Sequence, residues 1–125
     1  MTPTPTVTIY HNPKCSKSRQ TLELLREHGA TPHIIEYLKT PPTIEELRSL
    51  LAKLGMTPNQ ILRRKEAAEV GLTASNLTDE ALIEGMSLHP TVIERPIVVV
   101  NDKAALGRPP EAVLALLSPT QPTPT

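Results

Sequence analysis

The sequence predicts an α/β fold, and three observations carry that prediction. Short β-branched runs occur at 7–10 and 97–100, a helical stretch between two β-type runs gives βαβ spacing near the start, and Gly or Pro punctuates most junctions. The length of 125 residues suits one domain with a modest core and is too short for two ordinary ones.

The elements follow in order. Val7-Thr8-Ile9-Tyr10 reads as a first strand, His11 to Lys14 as a loop, and Cys15 to His28 as a helix whose end suits Gly29. A second strand is expected from His33 to Tyr37, parallel to the first through a right-handed crossover. Thr43 and Glu46 form a capping-box pair, and Ile44, Leu47, Leu50, Leu51 and Leu54 supply one apolar face. A shorter helix is expected around Asn59 to Ala68, and another from Asp79 to Leu88 with acids in its first turn. Together these form a helical insertion over about 43–89. Ile97 to Val100 is the strongest buried-strand signal, Asn101-Asp102 a turn, and Ala104 to Gly107 a partner strand. Pro109-Pro110-Glu111 then opens a last helix to about Leu117. The order β-α-β, helices, β-β-α describes an α/β sandwich of the thioredoxin type over 7–117. The Pro/Thr tracts at 1–6 and 118–125 are set aside as tails with little to bury.

Composition narrows the function. Thirteen basic and thirteen acidic residues cancel, so a broad nucleic-acid or anionic-membrane surface is not expected. With no Phe, no Trp and two Tyr, the core must be aliphatic. A single cysteine permits no internal disulfide and no multi-thiolate zinc site. No apolar run approaches the length of about 18 residues that a membrane helix needs, and the chain reads as cytoplasmic.

Cys15 is the most informative residue. It follows a strand and a loop at the expected N-terminus of a helix, where unpaired N–H groups and the helix dipole favour an anion. Lys14, Lys17, Arg19 and His11 add positive charge, with no acid between residues 11 and 22. A tyrosine-phosphatase loop would need Arg six positions after the cysteine, where Thr21 stands; a C-x-x-C redox pair would need a thiol at Ser18. Any redox cycle through Cys15 therefore borrows its second thiol from another molecule.

Arginines form a second constellation: Arg63 and Arg64 in ILRRK, Arg95 before Pro96 at the entrance of the buried strand, and Arg108 before the final helix. Arg grips tetrahedral oxyanions with paired hydrogen bonds. A neutral chain is thus expected to hold a local positive pocket in which these side chains, with Lys14, Lys17 and Arg19, converge on Cys15. Most body prolines fall at turns or helix starts; Pro96 is the one at the sheet. His28, His33 and His89 read as surface or structural residues.

These motifs carry a resemblance. HNPKCSKSR, QTLELLREHG, EYLKTPPTIEEL, ILRRK, LHPTVIERPIVVV and LGRPPEAVLALL together resemble the glutathione- and glutaredoxin-coupled arsenate reductase family from about Val7 to Leu117. The resemblance implies a thioredoxin-like fold, Cys15 as nucleophile and Arg63, Arg95 and Arg108 as oxyanion ligands, with Arg64 the alternative to Arg63. It also implies a cis peptide at Pro96, His11 near the thiolate helping to lower its pKa, and Ser18 and Arg19 supporting the loop. Cys15 would attack arsenate, a glutathione thiol would attack that adduct as As(V) falls to As(III), and glutaredoxin would resolve the mixed disulfide. No bound cofactor or metal is implied, and glutathione is a co-substrate. A monomer is expected, with no nucleic-acid or membrane partner. Two rivals share the fold: a Spx-like regulatory binding module that contacts RNA polymerase, weakened by Ser18 in place of a second cysteine, and a thiol oxidoreductase acting on another oxyanion or a glutathione mixed disulfide.

Overall fold

The computed structural model describes residues 6–73 and 76–117. Apart from Thr6, the Pro/Thr tails read at 1–6 and 118–125 lie outside those residues. The described residues form two compact units, one from residues 6–35 and 95–117, the other from Glu36 to Glu94.

The first unit is built on a four-stranded sheet. Strands β1 (Val7–Tyr10), β2 (His33–Ile35), β3 (Ile97–Val100) and β4 (Lys103–Leu106) lie in the order β2-β1-β3-β4. β1 runs parallel to β2 and antiparallel to β3, and β4 is antiparallel to β3. Helix α1 (Ser16–Glu27) connects β1 to β2, as the spacing of the two runs requires. Alternation along the strands turns Val7 and Ile9 of β1 and Val98 and Val100 of β3 to one face, where they pack with Leu22 and Leu25 of α1 and with Val113. Gly29 ends α1 with φ +86, a left-handed conformation open to glycine without steric cost.

The second unit contains α2 (Ile44–Leu54), α3 (Arg64–Glu69) and α4 (Asp79–Leu88). The Thr43–Glu46 capping box is formed in both directions, at 3.1 and 2.8 Å. Leu47, Leu50 and Leu51 of α2 and Leu82, Ile83 and Met86 of α4 are buried; Leu88, at the end of α4, is 77% exposed.

Several expectations need correction. β2 stops at Ile35 rather than Tyr37, because Lys39 and Thr40 both donate backbone hydrogen bonds to the Glu36 carbonyl and bend the chain. The helix expected over Asn59 to Ala68 is divided into a 3-10 turn at Pro58–Ile61 and α3. Between them Leu62 bridges Ile93: Arg63 N–H donates to the Val92 carbonyl and Glu94 N–H to the Ile61 carbonyl, both at 2.7 Å. The hairpin strand lies one residue earlier than expected. The last helix opens as a 3-10 turn at Pro110–Val113 before α5 (Leu114–Leu117). Arg95–Pro96 is a cis peptide, and so is Arg108–Pro109, where Pro109 reads in sequence only as a helix opening. The overall arrangement is the thioredoxin-like fold.

Candidate active site

Strand register brings the site together. Tyr10 is paired with Ile35 on one side and Ile97 on the other, and Ile97 is paired with Leu106. The ends of β1, β2 and β4 and the start of β3 therefore form one row across the sheet. The loop carrying Cys15 leaves from this row, Arg95 enters it, and Arg108 follows it. The hairpin is extended past its last pair by Gly107 N–H to the Pro96 carbonyl at 2.9 Å and by Arg108 Nε to the Arg95 carbonyl at 3.0 Å.

Cys15 is the N-cap residue of α1 and is partly exposed. Burial pushes its thiol pKa up, but the Ser18 N–H, the Arg95 guanidinium as both hydrogen-bond donor and charge, and the Lys17 N–H outweigh that effect and hold the pKa below its ordinary value. Arg95 also keeps a buried Nε with no hydrogen-bond partner among the described residues. The site thus joins a stabilised thiolate to a guanidinium with donor capacity in reserve, which suits a nucleophile acting on an anion.

The loop before α1 is organised by Ser18, whose side chain is fully buried. Its Oγ accepts the Asn12 N–H at 3.0 Å and shares a hydrogen bond of 2.6 Å with His11 Nδ1. Asn12 in turn accepts the Lys14 N–H on Oδ1 and the Cys15 N–H on its carbonyl, both at 3.0 Å. The His11 N–H donates to the Ile35 carbonyl at 2.8 Å, tying the loop to the end of β2. Arg19 Nη1 donates to the Pro13 carbonyl at 2.9 Å, so this side chain braces the loop. Asn12 carries no charge and is missed by a search for ionisable groups; the Asn-Pro pair is the turn signal that points to it.

Arg63 has different company. It caps α3 in the second unit, where its Nη1 lies 3.2 Å from Glu94 and its Nε 3.3 Å from Glu66. The Nε contact is an ion pair without hydrogen-bond alignment, since that nitrogen has no hydrogen-bond partner. Burial disfavours its charge, but Glu66 and Glu94 more than offset this and raise its pKa. Arg64 is exposed as the first residue of α3, and Lys14 and Lys17 are exposed beside Cys15. Among the described residues, no three His, Cys, Asp or Glu side chains are grouped to hold a metal ion, and no helix is long and apolar enough to cross a membrane.

Known proteins resemble this chain in sequence and in fold. The chain is 51% identical over 114 residues to the uncharacterized protein YfgD of Escherichia coli (strain K12), covering 89% of this chain and 96% of that one. An arsenate reductase of the same organism is 46% identical over 117 residues, covering 92% and 83%. A solved structure of an arsenate reductase from Vibrio cholerae superposes with a TM-score of 0.88 at 50% identity, covering 92% of this chain and all of that one. The ArsC family profile matches residues 10–116, from the end of β1 into α5 and through Cys15, Arg95 and Arg108; the chain belongs to the ArsC family.

Proposed function

We propose that this chain reduces arsenate to arsenite through a covalent adduct on Cys15, with glutathione and glutaredoxin supplying the electrons. The observation that carries the reading is the lowered Cys15 pKa beside an Arg95 whose buried Nε has no partner. The arsenate reductases of similar sequence and structure support it.

In this reading the Cys15 thiolate attacks arsenic, the As–O bond to one hydroxyl breaks and that oxygen takes a proton from solvent and leaves as water, while Arg95 and Arg108 hold the remaining oxygens and the charge that builds on them. A glutathione thiol then attacks the adduct. Its sulfur bonds to the Cys15 sulfur, the arsenic–sulfur electron pair passes to arsenic, and arsenite leaves as As(III). Glutaredoxin attacks the glutathione sulfur of the resulting disulfide and frees Cys15 as thiolate.

Arsenite formation in the presence of glutathione and glutaredoxin is the test. Wild-type protein should turn over and Cys15→Ser should not; activity retained in that variant overturns the mechanism. Arg95→Ala should weaken sulfate and arsenate binding far more than Lys53→Ala, and equal effects would remove Arg95 from the anion site.

A further inference from the structure

Cys15 is the sole cysteine, so the sulfur that resolves a Cys15 disulfide arrives from another molecule, and its route is open to physical argument. In the unit that carries Cys15, a groove of about 400 Å³ runs along the exposed side of α1 beside the turn at 110–113. Leu24 and Pro110 give it an apolar part; Glu23, Glu27 and Glu111 give it three carboxylates; Arg19 lies at the end nearer Cys15 in the helix. All three carboxylates are exposed, and none is paired with a cation among the described residues. By helical rise, Glu23 stands about 12 Å and Glu27 about 18 Å along the axis from Cys15. Lys14 and Lys17, exposed next to the cysteine, make that end positive. Arg26, exposed in the last turn of α1, does not line the groove, so within the groove itself charge changes sign from Arg19 to the three carboxylates.

We propose that this groove docks the protein thiol donor that resolves Cys15, and that the donor carries Lys or Arg side chains about 12–18 Å from its own reactive thiol. The inference rests on the thiol-dependent reduction proposed above. Charge complementarity selects the occupant: free glutathione is a net anion at neutral pH and gains nothing from three carboxylates, whereas a basic patch on a protein is drawn to them and oriented by the Lys14–Lys17 end. Leu24, half-buried on α1, adds apolar area that a protein surface can cover, over a floor formed by the buried Pro110. The docked step is thiol–disulfide exchange. The donor thiolate attacks the glutathione sulfur of the Cys15–glutathione disulfide, that S–S bond breaks, Cys15 leaves as thiolate, and the disulfide is now between glutathione and the donor.

The test measures this step without arsenate. Protein converted to the Cys15–glutathione disulfide with oxidised glutathione is mixed with reduced glutaredoxin, and the return of the free Cys15 thiol is followed by mass spectrometry. The wild-type rate should fall as salt rises. A Glu23→Lys/Glu27→Lys variant should react about tenfold more slowly at low salt, with a flattened salt dependence. Both proteins should be reduced at the same rate by the uncharged dithiol dithiothreitol. Equal rates with glutaredoxin, an equal slowing with dithiothreitol, or no reaction of wild-type protein with glutaredoxin would each overturn the docking surface. Failure of arsenate turnover alongside normal, charge-dependent exchange would instead overturn the proposed function and leave the docking surface supported.

Discussion

At Cys15 two opposed influences meet, and the direction of the balance sets a pH response. Burial opposes ionisation, while the Ser18 and Lys17 N–H groups and Arg95 favour it and prevail. Alkylation of Cys15 by iodoacetamide should therefore reach half its maximal rate below the pKa of about 8.5 of a free thiol. Arg95→Ala should move that midpoint up; an unchanged midpoint would leave Arg95 without a part in the thiolate. The linkage has a definite sign. Because the folded pKa lies below the unfolded one, the stability gained from Cys15 is complete above the unfolded thiol's pKa and is lost as pH falls through the folded value. At Ser18 the cost is of another kind. Ser18→Ala leaves the buried Asn12 N–H without its acceptor, and urea unfolding should show a loss of about 1–3 kcal/mol. Much of this site was legible before folding: a cysteine after a strand and loop, with basic neighbours, announces a thiolate. The hub role of Ser18 was not, because its contacts depend on how the loop closes. Nor was the pairing of Arg63 with Glu94, whose sequence separation hides the contact.

Elements with local signals were read well. The Thr43 capping box, the bounds of α4 and the strand at 97–100 each depend on residues a few positions apart. Replacing Thr43 with Ala should cost about 1 kcal/mol, measurable as a lower urea midpoint at unchanged slope. What failed was the reading of one continuous helix around Asn59 to Ala68, since the Leu62–Ile93 bridge that divides it is a long-range contact. Gly107 is a similar case. Nothing adjacent to it in sequence demands glycine, yet a Cβ there would stand 2.5 Å from Thr21 Oγ1 and 2.7 Å from Pro96 Cγ. Gly107→Ala should destabilise by about 1–3 kcal/mol through overpacking of α1 against the start of β3. Wild-type stability in that variant would mean the two elements separate freely.

For the whole molecule, zero net charge conceals strong local fields. Thermal unfolding followed with added sulfate should register the positive one. An anion at 100 times its Kd stabilises by about 2.7 kcal/mol, a rise expected in wild-type protein and lost in Arg95→Ala. The row of paired residues Ile35, Tyr10, Ile97 and Leu106 carries a further consequence, for tolerance to changes of length. To the sheet, the whole stretch from Glu36 to Glu94 is one long excursion between the end of β2 and the start of β3. Those two strands flank β1 and are two strand spacings apart, about 10 Å, however many residues intervene. Insertions or deletions within that excursion leave the separation of Cys15 and Arg95 to the sheet register. Losing one residue between Ile97 and Leu106 does the opposite: with a side-chain period of two, it sends every following side chain of the hairpin, Arg108 among them, to the other face.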